Sequence, residues 1–133
     1  MIEEDYVSFE TARLLKEKGF DAPCNCYGAY NGVNLTYRLC VTDKYTNWNK
    51  HTDKFIISCP TLQMAMKWLR EKHNLVVEPF IQEDVKYVWY IHRIETMFNK
   101  KYLVFCWASK NTKYERYEEA CEAAIGYCLK HII

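Results

Sequence analysis

Two cysteines separated by a single residue, Cys24 and Cys26, are the part of the sequence closest to a metal-binding pattern. Zinc-binding thiolates are normally spaced by about two to four residues and need a second ligand pair. The histidines are too scattered to supply that pair: His51, His73, His92 and His131. Because the cysteine total is odd, at seven, and no export signal is evident, reduced thiols are expected. We therefore predict no metal ion and no cofactor, and cysteines that pack mostly as small buried hydrophobic side chains.

Two other arrangements could support catalysis. Cys59 precedes Pro60 at the N-terminus of a predicted helix, where the helix dipole can lower a thiol pKa. His92 and Glu95 lie at the end of a predicted strand and could form an acid–base pair. The sequence contains no phosphate-binding loop, nucleophile elbow, dinucleotide fingerprint or zinc-protease motif. Since an inert thiol and a structural histidine are the commoner roles for such residues, we predict that the protein is not an enzyme.

The segment 60–71 predicts the clearest helix of the chain. Pro60 suits the first helical position, with one of the two preceding residues as the cap. Its apolar residues form two adjoining stripes, the second of which contains Met64 and Trp68. Together they cover roughly 200° of the helix, about twice the arc that a surface helix needs. We predict that this helix is contacted from two sides, with Trp68 either in the core or on a docking stripe.

The remaining segments predict an α+β protein with the element order α-β-β-α-β-β-β-α. The predicted elements are a helix that follows the cap Ser8 and runs to about Lys18, a loop from Asp21 to Gly32, strands at 35–41 and 55–57, the central helix, strands at 75–81, 86–94 and 102–108, and a helix from about Tyr117 to His131. The first helix should end at Gly19, with Phe20 folded back on Leu15. The inner stripe of the last helix is predicted to be Tyr117, Ala120, Cys121, Ala124 and Cys128. The polar stretch 42–54 predicts a long loop whose Trp48 folds back over the core. We expect one antiparallel sheet of about four to five strands, packed by two to three helices, in a single domain spanning residues 1–133.

The last two predicted strands form a hairpin that is apolar or aromatic on both faces. In the first of them, alternation places Trp89 and Arg93 on one face; in the second, Trp107 shares a face with two other apolar residues. A sheet with one face in water is normally more polar than this. We therefore predict that another element of the chain, a protein or small-molecule partner, or a second copy in a homodimer covers part of this surface. The predicted contact residues are Trp68, Trp89, Trp107, Arg93 and Lys101.

Single-stranded nucleic acid is the alternative partner. The hairpin at 86–108 interleaves aromatic residues with Lys86, Arg93, Lys100 and Lys101, a composition that can stack on bases and contact phosphates. The C-terminal element order is also that of double-stranded RNA-binding domains, although the last helix begins with acidic residues where those domains present lysines. The net charge of +1 provides no general attraction for nucleic acid, so we expect it less than a protein partner.

Three parts of the sequence resemble a family of small proteins, without an assigned activity, encoded by gut Bacteroidales and by their phages and mobile elements. The matching strings are YVSFETA and LLKEKGF near the N-terminus, TLQMAMKWLRE in the middle and YEEACEAAI near the C-terminus. The last helix of the family usually begins after a serine, and this chain has Arg116 there. The resemblance implies an accessory protein that blocks or sequesters a host factor. The acidic N-terminus and the lack of a long apolar run predict a cytoplasmic protein that does not contact a membrane.

Overall fold

The structure, a computed structural model, describes residues 2–31, 36–51 and 53–133. Over those residues it is an α+β protein with three α-helices and two three-stranded antiparallel sheets. The chain divides into two compact units, 1–64 and 65–133, with the boundary inside the second α-helix. The α+β class is confirmed, but a single sheet of about four to five strands is wrong, because six strands form two sheets. A single domain stays a prediction.

The first unit contains one α-helix and one sheet. Its elements are α1 (Phe9–Glu17), β1 (Cys24–Asn31), β2 (Thr36–Thr46), a short 3-10 helix (Trp48–Lys50) and β3 (Ile56–Ser58). β1 lies in the centre of the sheet, between β2 and β3, and pairs antiparallel with both.

Local signals in the sequence determine both ends of α1. The Ser8 hydroxyl accepts a hydrogen bond from the backbone N–H of Thr11, as an N-cap does. At the other end Gly19 has a φ of +88°, and the Phe20 N–H donates to the Leu15 carbonyl over 2.9 Å. Phe20 and Leu15 are both buried, so the ending is a Schellman motif with its hydrophobic contact. The predicted cap and ending are confirmed.

β1 occupies a segment predicted to be a loop, and that prediction is wrong. Pro23 and Gly28 suggested a break in regular structure, and Gly32, the end of the predicted loop, lies outside the described residues. In the strand, Gly28 has a packing role, since a Cβ at this position would overlap the ring of Tyr37 on β2. Glycine in a strand often marks such a close approach of a neighbour.

β2 continues five residues beyond its predicted end and includes much of the predicted loop. Leu35, its predicted first residue, lies outside the described residues. After the strand, the Trp48 indole N–H donates to the Cys24 carbonyl over 2.9 Å, and the ring packs on Tyr27 with centroids 4.5 Å apart. The prediction that Trp48 folds back onto the protein is therefore confirmed.

The second helix, α2 (Leu62–His73), begins later than predicted. The Thr61 hydroxyl accepts a hydrogen bond from the Met64 N–H over 3.2 Å, so Thr61 is the cap and Pro60 precedes it. Both apolar stripes are largely covered: Ala65 and Leu69 are fully buried, and Trp68 is 5% exposed. The wide apolar arc therefore reflects a core helix, and Trp68 is not available to a partner.

The second unit has a sheet in which sequential strands are neighbours. Its elements are β4 (Leu75–Ile81), β5 (Tyr87–Met97), β6 (Lys100–Ala108) and α3 (Tyr117–Tyr127), which continues as a π-helix over Cys128–Ile132. The strand order is β4-β5-β6, with both pairings antiparallel, so β6 is an edge strand. α3 packs against β4 and β5.

The predicted hairpin between β5 and β6 is confirmed. Met97 pairs with Lys100, which leaves Phe98 and Asn99 as a two-residue turn. Both have positive φ, 52° and 63°, as a type I′ turn requires. A positive φ is unfavourable for a bulky side chain such as that of Phe98. The Phe98 side chain is also 93% exposed.

Small side chains form the buried face of α3, as predicted. Ala120, Cys121, Ala124 and Cys128 are fully buried, whereas Tyr117, predicted on the same stripe, is exposed. Arg116 is the N-cap residue and makes no side-chain capping hydrogen bond. The helix therefore begins without a side-chain cap.

Candidate functional site

Three cysteines of the first unit, Cys24, Cys26 and Cys59, form a buried cluster that the hydrogen bonds of the strands hold in place. Cys26 and Cys59 are directly joined through the backbone, since the Cys59 N–H donates to the Cys26 carbonyl over 3.0 Å. The Tyr37 hydroxyl donates to the Cys59 sulfur over 3.2 Å, and the Cys59 thiol donates to the Val7 carbonyl over 3.4 Å. Cys59 is fully buried and lies before the first residue of α2, so a substrate cannot reach its sulfur in this conformation.

Burial also opposes ionisation of the other thiols in this cluster. Desolvation, followed by the neighbouring sulfurs, raises the pKa of Cys26 to about 12, and desolvation raises the pKa of Cys24. A thiol that remains protonated at neutral pH is a poor nucleophile. Within the described ranges, no three or more His, Cys, Asp or Glu side chains are placed to hold a metal ion.

The two members of the suggested acid–base pair do not come together. The Nε2 atom of His92 is 3.4 Å from a carboxylate oxygen of Glu78 on β4. Glu95 lies beyond an irregularity in the β5–β6 register and is paired with Tyr102. His92 therefore has the exposed carboxylate of Glu78 beside it, and an ion pair at such an exposed position contributes little to stability.

The most distinctive surface of the described residues lies along edge strand β6. Four consecutive apolar residues are exposed there, Tyr102, Leu103, Val104 and Phe105, of which Leu103 is 64% exposed and Phe105 56%. Edge strands usually avoid such a run with charged residues, proline or a short length. We refer to Lys100–Trp107 together with Arg93 as the β6 surface.

One face of the β6 surface presents an aromatic pair and a cation. Phe105 is paired with Arg93 of β5, and Trp107 with the buried Ile91, so Phe105, Trp107 and Arg93 share a face. The Phe105 and Trp107 ring centroids are 4.5 Å apart, and the Arg93 guanidinium carbon is 5.4 Å from the Trp107 centroid. The arrangement holds two aromatic rings and one positive charge in a fixed geometry at the sheet edge.

The structure separates the five predicted contact residues into two groups. Trp68 and Trp89 are each 5% exposed, and Trp89 packs on Tyr127 of α3 with centroids 5.1 Å apart. Both are therefore covered in this conformation, and their role as contact residues stays a prediction that the structure does not support. Arg93, Trp107 and Lys101 belong to the β6 surface, where Lys101 is exposed and the other two are half-buried.

Sequence reasoning did not name the exposed apolar residues of the surface, Tyr102, Leu103, Val104 and Phe105. Their apolar character was evident, but their exposure follows from the edge position of β6, which depends on the strand order. The nearest signal in the sequence was that both faces of the hairpin are apolar.

Comparisons with protein-family models, with curated proteins and with solved structures found no match for this chain. No helix among the described residues is both long enough and apolar enough to span a membrane.

Proposed function

We propose that this chain is a non-catalytic binding protein that docks a protein partner through the β6 surface. The observation that carries the proposal is the run of four exposed apolar residues, 102–105, on an unpaired edge strand. An apolar edge of this kind is an aggregation hazard unless another chain covers it. A partner would remove apolar area from water, which stabilises a complex by about 25 cal/mol per Å² before the costs of association.

The resemblance of three segments to proteins of Bacteroidales and their mobile elements suggests where this protein acts and what kind of partner it has. We propose that the protein is a cytoplasmic accessory protein of a Bacteroidales phage or mobile element and that its partner is a host protein. The depression of about 340 Å³ beside Ala29, Tyr30, Asn31 and Arg38 is open to solvent, so it gives little support to a small-molecule partner. Ligand sites are usually better enclosed.

Matched substitutions of exposed apolar strand residues test the proposed function. Leu103 on β6 is 64% exposed and Val41 on β2 is 58% exposed, so glutamate at either position disturbs an apolar surface without disturbing the core. Partners are captured by cross-linking the tagged chain in a Bacteroidales host, and the wild type, Leu103→Glu and Val41→Glu proteins are compared. We expect Leu103→Glu alone to lose its specific partner. If both variants retain every cross-linked partner, the proposed function is wrong.

Single-stranded nucleic acid remains the second candidate, and the Arg93–Trp107–Phe105 arrangement favours it. Stacking on exposed rings beside a cation is a common mode of binding bases. Against it, Glu118 and Glu119 begin α3, and Leu103 and Val104 are aliphatic side chains that do not stack on bases. A labelled single-stranded oligonucleotide whose binding weakens steeply with salt and is lost in Trp107→Ala would favour this function over a protein partner.

A further inference from the structure

The direction of the backbone groups on β6 follows from the pairing of β5. The Ser109 N–H donates to the Trp89 carbonyl over 3.0 Å, and the ladder continues from there with Ile91 opposite Trp107 and Arg93 opposite Phe105. In an antiparallel pair, alternate residues bond to the neighbouring strand and the residues between them point away. Phe105 and Trp107 therefore bond to β5, while the N–H and C=O groups of Cys106 and Ala108 point to the free edge. Beyond the irregularity near Val104, the groups of Lys101 and Leu103 point outward in the same way, since Tyr102 faces Glu95.

The opposite edge of the same sheet is blocked. The Ile94 N–H donates to the Asn74 carbonyl over 3.0 Å, so the even-numbered residues of β5 face β4. Glu78 is opposite the even-numbered Tyr90, so its backbone groups bond to β5. Pro79 is opposite Trp89, so its backbone points away from β5, towards the free edge of β4. Proline has no N–H to offer an added strand. β6 has neither proline nor glycine over its nine residues, so of these two edges it is the one open to an additional strand.

The charges around β6 indicate the composition of a strand that would fit there. Lys100 and Lys101 begin the strand, and Lys110 follows its end. All three are exposed, and none forms an ion pair with any of the described residues. The middle of the strand is apolar and includes aliphatic Leu103 and Val104. The complementary segment has apolar residues in its middle and carboxylates at both ends.

From this geometry we infer that β6 binds an extended acidic–apolar peptide segment of its partner as a fourth strand of the sheet. Backbone hydrogen bonds to Cys106 and Ala108 would provide the pairing, and side chains at alternate positions would contact Phe105 and Trp107. The lysines at the two ends would attract the carboxylates and oppose basic segments. This inference rests on the proposed function, because it names how the β6 surface recognises a protein.

A displayed library of random nine-residue peptides, selected against the full chain, tests the inference. We expect the enriched peptides to alternate apolar and other residues in the middle and to carry Asp or Glu at both ends. Cys106→Pro removes one outward N–H without removing a bond to β5, and Cys106→Ala is its matched control because it keeps that N–H. For a synthetic copy of an enriched peptide, Cys106→Pro should weaken binding about tenfold more than Cys106→Ala does, because only the proline removes the N–H.

A second measurement does not depend on how the protein tolerates proline. Methylating alternate backbone nitrogens of the enriched peptide should abolish binding in one of the two possible patterns and spare it in the other, as one-sided strand pairing requires. Enriched peptides that lose binding to Leu103→Glu, yet bind Cys106→Pro and both methylated forms normally, would overturn strand addition while the proposed function stands. If no peptide is enriched, or if the enriched peptides bind Leu103→Glu as well as wild type, this inference fails. The cross-linking comparison of Leu103→Glu with Val41→Glu then decides separately whether the proposed function survives.

Discussion

Replacing Gly28 with alanine should destabilise the first unit, because the added methyl group has no room. A Cβ at Gly28 would lie less than 3 Å from three atoms at the end of the Tyr37 side chain, Cε2, Cζ and Oη. The ring cannot swing away freely, since its hydroxyl donates to the Cys59 sulfur and its centroid is 4.7 Å from that of Phe9. Inserting a methyl group into such a site typically costs about 1–3 kcal/mol, and we expect the free energy of unfolding to fall by about 2 kcal/mol.

Urea denaturation of four proteins isolates the effect: wild type, Gly28→Ala, Tyr37→Leu and the double variant. Leucine lacks the three atoms that would meet the new methyl group, so Gly28→Ala in the Tyr37→Leu background should be neutral or stabilising by about 0.5 kcal/mol. The coupling between the two positions should therefore be about 2 kcal/mol. Gly126→Ala is the matched control. It makes the same change on α3, where no atom lies within 4 Å, and should stabilise by about 0.5–1 kcal/mol. An equal loss of stability in both Tyr37 backgrounds would refute the reasoning.

Three further predictions concern stability, each measured by urea denaturation. Phe98→Asn should stabilise by about 1 kcal/mol, because asparagine tolerates the positive φ that Phe98 adopts, whereas the control Phe98→Leu should bring no gain. Arg116→Ser should stabilise by about 1 kcal/mol, since serine can accept a hydrogen bond at the start of α3 and forms a capping box with Glu119; Arg116→Ala should not do so. Burial raises the pKa of Cys128 to about 12 from its ordinary value of 9.0. The thiol therefore ionises first in the unfolded chain, so stability is full below about pH 9 and falls as the pH rises towards 12; Cys128→Ala should fall less steeply.

The elements that the sequence predicted well are those with local causes. α1 begins at a serine whose own hydroxyl caps it and ends at a glycine that supplies the left-handed conformation, so both ends lie in the residues themselves. β1 was missed because the reason for Gly28 is tertiary: the ring of Tyr37 lies where a side chain would be. α2 was predicted with the wrong cap, since Pro60 is compatible with a helix start and Thr61 is a better hydrogen-bond acceptor.

The candidate site shows the same limit in another form. Alternation along β5 correctly places Trp89 and Arg93 on one face, but it cannot say which part of that face a helix covers. Trp89 packs beneath α3 against Tyr127, while Arg93 lies over Trp107 at the sheet edge. Exposure of the apolar residues on β6 depends on the order β4-β5-β6, a non-local property that no pattern within a single strand encodes.

The lysines that flank β6 bear on whether its partner is a second copy of this chain, as the sequence allowed. Two β6 strands could pair antiparallel through their outward-pointing residues, with Lys101 and Leu103 of one copy opposite Ala108 and Cys106 of the other. Lys101 of one copy would then lie two residues from Lys110 of the other. Like charges would then meet at both ends of the new pairing, and parallel pairing would place Lys100 and Lys101 beside their own copies. Either arrangement is opposed by repulsion between exposed lysines that have no carboxylate partners among the described residues. The same charges that discourage self-association at this edge favour an acidic strand from another protein, so we expect a monomer whose β6 remains free until that partner is present.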